Sequence, residues 1–187
     1  MKIKIIDMEE KLKKTIKKNF KSIGVDTAKI TGIIFLKTDD IYIYIDGLVL
    51  GFKTENKKEV YGTMVRTFEK LFNEEDLAII EDTFIGFNRK GSIELTRYGA
   101  FAIAEVIKKS IPYEIISAVS ARSKFKIDTR KYGKGKSKKA VADWVNEIGV
   151  KLVDNNLVDG FVLALCGICE EIDFTKKTKK KSAKCQT

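Results

Sequence analysis

Apolar and polar positions follow two different periods along this chain, and the switches between them mark out its elements. Residues 21–26, KSIGVD, form a short, mostly apolar run that reads as a buried strand closing on an acid. Residues 32–38 (GIIFLKT) and 41–52 (IYIYIDGLVLGF) follow as strands, and Thr38-Asp39-Asp40 between them is a natural hairpin turn. Val60, Met64, Val65, Phe68, Leu71 and Phe72 recur at helical spacing and predict a helix over 57–73. LAIIED, 77–82, reads as a fully buried strand ending in Glu81 and Asp82. Tyr98, Ala102, Ile103, Val106 and Ile107 make the apolar stripe of a helix over 92–109, Pro112 closes that region, and YEIISAV (113–119) is a fifth strand. Val141, Trp144, Val145 and Ile148 share one face of a helix over 137–150, and 157–172 reads as a buried terminal helix.

The resulting order, β-β-β-α-β-α-β-α-α, predicts an α/β fold: a five-stranded mixed sheet flanked by helices on both faces. A right-handed crossover sets the strand ending in Glu81 parallel to the strand ending in Asp26. Both carboxylates then lie at the carboxyl ends of central strands, where sites of open α/β sheets are found. No linker interrupts 21–174, which reads as one domain. Ahead of it, 1–20 reads as a basic helical extension with Met8, Leu12 and Ile16 on one stripe; after it, the lysine-dense 175–187 is expected to be disordered.

Charge narrows the partner. Thirty-six basic residues against 26 acidic ones give +10, which favours a polyanion, although a lysine-rich composition also arises in AT-rich genomes. No apolar run approaches the ~18 residues of a membrane span and no secretory core is visible, so a cytoplasmic protein with no membrane partner and no organic cofactor is expected. Cys166 and Cys169 form a C-x-x-C, which is either half of a metal or redox site or two small buried helix residues. The apolar run FVLALCGICEEI and the absence of histidine favour the second.

The acids carry the chemistry. Asp26 alone can be a turn residue and Glu81 alone a solvated strand end. Asp159 differs, because it sits within LVDGFVLAL, a helix otherwise too apolar for a charge. A buried carboxylate there needs a cation or a proton. Three acids converging from two strands and an apolar helix suit a hard divalent metal such as Mg²⁺ or Mn²⁺.

At these positions the sequence resembles the RuvC-type Holliday junction resolvases, of the ribonuclease H-like superfamily. SIGVDTAKITGIIFL is similar to the family's G-[IV]-D-x-x-x-x-x-G through Gly24, Asp26 and Gly32. LAIIEDTF resembles the strand that ends in the catalytic glutamate, at Glu81, and VDGFVLAL resembles A-D-A-L-A-[IL]-A, at Asp159. KYGKGKSKKAVADWV is similar to the G-x-G-x-x-x-K segment through Gly133, Gly135 and Lys139. The resemblance spans about residues 22–172.

It implies a ribonuclease H-like fold in which Asp26, Glu81 and Asp159 ligate two Mg²⁺ ions per site, with Mn²⁺ as substitute, and Lys139 contacts the scissile phosphate. It implies that Phe84, whose structural alternative is core packing, or more weakly Phe87, wedges into a junction. Arg122, Lys124, Lys126, Arg130 and Lys131 would follow the DNA backbone, joined by Gly133, Lys134, Gly135, Lys136 and Lys138 of the glycine–lysine loop. One departure stands out: three residues before Asp159, where the family carries a fourth ligand, this chain has Asn156, with Asp154 near enough to compensate. A homodimer through the helix around 93–109 is implied as well, in a bacterial or phage-infected cell.

Four functions follow from these features: a branched-DNA endonuclease, a weak or inactive branched-DNA binder, an RNA–DNA hybrid nuclease and a purely structural protein. The three acids favour a nuclease, and the Phe84 position with the glycine–lysine loop favours junctions over hybrids. Asn156 is the feature that favours the binder.

Overall fold

The computed structural model describes residues 1–170 apart from 29, 84–88, 134, 153 and 155. Six strands run β1 (Lys2–Lys4), β2 (Lys21–Asp26), β3 (Ile30–Thr38), β4 (Tyr42–Gly51), β5 (Leu77–Glu81) and β6 (Tyr113–Ile116). Six α-helices accompany them: α1 (Ile5–Leu12), α2 (Lys57–Leu71), α3 (Arg89–Lys108), α4 (Ala118–Lys124), α5 (Ser137–Glu147) and α6 (Leu157–Ile168). The strands form one mixed sheet in the order β1-β4-β3-β2-β5-β6. Strands β2, β3 and β4 meander antiparallel, while β5 and β6 extend the sheet parallel to β2, as right-handed crossovers require.

Alternation along each strand sends side chains to two separate cores. Ile23, Val25, Ile33, Ala78 and Ile80 face α2 and α3, where Phe68, Phe72 and Val106 meet them. Ile34, Leu36 and Ile79 face the other way, toward α1, α4, α5 and α6. By the same two-residue period, Asp26 shares the face of Gly24 and Ser22, and Glu81 shares that of Ile79. Both acids therefore point toward α6.

Helix α6 is buried along its whole length, because the sheet covers one side and α4 and α5 cover the other. Its backbone lies unusually close to the strands. A Cβ built on Gly24 would stand 2.1 Å from the Gly160 carbonyl oxygen, and one on Gly32 would stand 1.9 Å from that of Asn156. Only glycine fits at these two crossings, and that contact seats Asp159 over the end of β2.

Three expectations change. The sheet has six strands rather than five, since Lys2–Lys4 pairs antiparallel with β4, Lys2 opposite Tyr44. Three residues are too few for a period to show. The basic segment 1–20 is accordingly not one helix. After β1, α1 ends at Leu12 with Lys13 in the left-handed region (φ 53°), and Ile16 reaches the core from extended chain, bridged to Cys169. Finally, the strand expected over 113–119 stops at Ile116, because Ser117 caps a new helix by accepting from the Ser120 amide at 3.1 Å. The basic residues from Arg122 onward thus belong to a helix, a turn and a 3₁₀ segment (Arg130–Tyr132), not to a strand. The tail 175–187 lies outside the described residues.

Candidate active site

In the parallel register of β2 and β5, Val25 stands opposite Ile80, so Asp26 and Glu81 follow as the next neighbours. Across β5, Glu81 pairs with Ile116 of β6, and the chain turns from there through Ser117 into α4. The site is therefore built from the carboxyl ends of adjacent strands, the first turn of α6 above them, and α4 at the side.

Asp26 is buried, at 5% exposure, and its carboxyl lies beside that of Glu81 closely enough for each to shift the other's titration. Two carboxyls at that range cannot both ionise cheaply. Burial, the bond to Asp26 and the Asp26 charge push Glu81 up to about 9, and Asp159 adds to the effect. Burial also raises Asp26, and the neighbouring Glu81 carboxyl opposes that rise. Oδ2 of Asp26 remains buried with no hydrogen-bond partner. A buried anionic oxygen left bare is costly, and a cation beside it removes the cost.

Asp159 is also buried, yet its neutralising cation is a protein side chain. Arg122 donates to Asp159 Oδ1 from Nη2 at 2.7 Å and from Nε at 3.3 Å. The Arg122 charge acts on Asp26 and Glu81 as well. Arg122 was expected along a DNA backbone; the structure instead turns it inward to the carboxylates. Its signal was present in the sequence: Ser117 after an apolar strand caps a helix, and Arg122 lies just beyond its first turn.

The remaining expected residues fall into several places. Lys138 and Lys139 are both exposed on α5, and the charge of Lys138 is felt at Asp26. Gly133 and Gly135 have positive φ (83° and 79°) with open space around them, and Lys136 leads into α5. Asn156 and Asp154 bond to each other: the Asn156 backbone N and Nδ2 both donate to Asp154 Oδ1 at 2.8 Å. Arg130 is paired with Asp128, and Lys131 lies over the Tyr132 ring. Lys124 and Lys126 line a cleft with Lys11, Lys13 and Lys14, so the N-terminal segment adds to the basic surface. Phe84, Phe87 and Lys134 lie outside the described residues. Cys166 and Cys169 are buried, and burial pushes their thiols up to about 11 and about 12, so neither is poised as a ligand or nucleophile.

The Asp26–Glu81 pair, with its bare Oδ2, fits an oxygen-ligated divalent ion. With Asp159 held by Arg122, no three His, Cys, Asp or Glu side chains among the described residues form a group that encloses one. Two acids form the cradle, and the third stands beside it on an ion pair.

No family model and no curated protein matches the sequence. Solved structures do match the fold. RuvC from Thermus thermophilus in complex with a Holliday junction substrate is 12% identical, with a TM-score of 0.62 over 78% of this chain and 91% of that one. A second Thermus thermophilus RuvC structure is likewise 12% identical, with a TM-score of 0.62, over 81% of this chain and 99% of that one. The yeast mitochondrial Holliday junction resolvase Ydc2 matches at 15% identity and a TM-score of 0.46, over 84% of this chain and 81% of that one. The chain has the fold of RuvC-type resolvases.

Proposed function

We propose that this chain, carrying the RuvC-type fold, is a structure-selective DNA endonuclease that hydrolyses phosphodiester bonds at four-way junctions. The observation that carries the reading is the buried Asp26–Glu81 pair at the ends of adjacent parallel strands, with an acceptor oxygen left unpartnered toward α6. Nothing in the packing needs two acids there.

A divalent ion, Mg²⁺ or Mn²⁺, would be held by Asp26 and Glu81 and would supply Lewis acidity and an activated water. The chain's own residues do the rest. Asp26 and Glu81 give up the proton they share when a cation approaches, which couples occupancy to pH. Lys138 and Arg122 bring positive charge to the same place and offset that of the phosphodiester. Water adds at phosphorus, the 3′ oxygen leaves and takes a proton, and the products carry a 5′-phosphate and a 3′-hydroxyl. The net charge of +10 and the lysines that flank the Lys124–Lys126 cleft supply the sequence-independent hold on the backbone.

Symmetric cutting of a junction requires two sites, and α3 offers a surface for a twofold contact. Ile93, Ala100, Ala104 and Ile107 are exposed along it at three- to seven-residue spacing, with the isoleucines 52% and 57% exposed. An apolar stripe with small residues at its centre suits close helix pairing across an isologous interface.

A second reading, a branched-DNA binder with little or no cleavage, is favoured by Asn156 and by the engagement of Asp159 with Arg122. The two readings part on a labelled immobile junction. A nuclease nicks it only with Mg²⁺ or Mn²⁺ and stops on Asp26→Asn, whereas a binder shows salt-sensitive affinity and no nicks.

A further inference from the structure

We infer that the site takes a single divalent cation, held by Asp26 and Glu81, and that Arg122, anchored by Asp159, provides the second positive centre from within the chain. The inference rests on the nuclease reading and fixes what its centre contains.

Geometry argues first. Asp159 is not a vacant ligand, because its Oδ1 accepts two bonds from the Arg122 guanidinium, and both side chains are largely buried at 9% and 15% exposure. Recruiting Asp159 to an ion would strand a guanidinium in the interior, where an unpaired charge is strongly unfavourable. The cradle that is open is the other one, where Asp26 Oδ2 is buried and unpartnered beside Glu81.

Charge argues second. Asp26, Glu81 and Asp159 bring three negative charges when ionised, and Arg122 leaves two of them, which one divalent ion neutralises. A second ion would leave an excess of two positive charges among these groups in the absence of substrate. At the position three residues before Asp159 the side chain is neutral, and Asn156 is bound through its backbone N and Nδ2 to Asp154 Oδ1. The asparagine is thus consistent with a site whose second cation is covalently part of the protein.

Chemistry argues third. A guanidinium has five N–H donors, and Asp159 uses two. The remaining three sit on a fork whose direction Asp159 fixes, suited to the non-bridging oxygens of a phosphodiester. Arg122 can stabilise charge that develops on them without leaving its anchor.

The test is to count Mn²⁺ sites in the full chain by anomalous diffraction, bound to a four-way junction with a non-cleavable phosphorothioate at the scissile position. One anomalous peak beside Asp26 and Glu81, with the Arg122–Asp159 pair intact, is the expected result. Two peaks, with Arg122 swung away from Asp159, overturn it. Calorimetric Mn²⁺ titration supplies a readout free of both DNA and activity. Arg122→Gln releases the Asp159 charge and is expected to tighten Mn²⁺ binding about tenfold, with Arg122→Lys close to the parent. Unchanged or weaker binding in a folded Arg122→Gln variant counts against the inference. Absence of any Mn²⁺ from parent and variants, with or without junction, overturns the metal-dependent nuclease reading itself, a different failure from finding two ions.

Discussion

Arg122 Nη2 stands 2.7 Å from Asp159 Oδ1, joining the last turn of α4 to the first turn of α6 beside the Asp26–Glu81 pair. An arginine read from sequence as a DNA contact therefore belongs to the interior of the candidate site, where it resolves the desolvation of an aspartate in an otherwise apolar helix. Since both partners are largely buried, removing one leaves the other uncompensated. Arg122→Gln is expected to destabilise the metal-free protein by about 3 kcal/mol, and Arg122→Lys by clearly less. Urea denaturation with EDTA present measures both; equal stability of all three proteins would remove the ion pair from the account.

The shared proton of Asp26 and Glu81 makes stability depend on pH in a defined sense. Glu81 is raised to about 9 in the folded chain, against an ordinary value of 4.5. Its folded-state preference for the proton contributes fully below about pH 4.5 and is lost as pH rises through about 9. The metal-free protein is thus expected to lose melting temperature from about pH 5 to about pH 9. Glu81→Gln, which keeps a neutral donor for Asp26, should flatten that slope and melt higher than the parent at alkaline pH. A parent with a flat profile would show that the two carboxyls do not share a proton.

Metal binding draws on the same proton. Addition of Mg²⁺ at neutral pH should release protons to the buffer and raise the melting temperature of the parent, but not of the Asp26→Asn protein. Calorimetry in buffers of differing ionisation enthalpy counts the protons, and a buffer-independent heat would contradict the exchange.

Close approach of α6 to the sheet holds Asp159 in place. Gly32→Ala would put a Cβ within 1.9 Å of the Asn156 carbonyl oxygen, so α6 must shift outward. A cost of about 1–3 kcal/mol is expected, together with a large loss of cleavage, because Asp159 moves with the helix and away from its Arg122 partner on α4. Gly51→Ala, where no atom lies within 4 Å of the new Cβ, is the matched control and should fold with near-parent stability.

If α3 forms the twofold contact, Ala100→Arg places a bulky charge at its centre. The variant should elute as a monomer in size-exclusion chromatography while keeping the parent's circular dichroism spectrum. A dimeric Ala100→Arg protein would move the interface elsewhere on the surface.

Much of this architecture was legible in the sequence. The strand over 21–26 and the turn at Asp39 followed from pattern alone; Asp39 Oδ1 accepts from the Ile41 and Tyr42 amides, as the turn reading requires. The pairing of Asp26 with Glu81 followed from one crossover rule. Less legible were features set by long-range contact. Lys2–Lys4 becomes a strand because β4 offers an edge, and Ile16 joins the core because Cys169 lies beside it. Asp159 stood out in the sequence as a carboxylate in an apolar helix, but sequence could not show that Arg122, 37 residues away, would pair with it. Nor could spacing show that the charge of Lys138 is felt at Asp26.

Cleavage of a labelled, immobile four-way junction, set against a linear duplex of the same sequence and titrated with Mg²⁺ and Mn²⁺, tests the central claim most directly. The account predicts paired nicks near the crossover that need the metal, leave 5′-phosphates, spare the duplex and fall by on the order of 10³-fold in Asp26→Asn. Tight junction binding with no cleavage under any metal would contradict it and make the chain a binder that retains the fold.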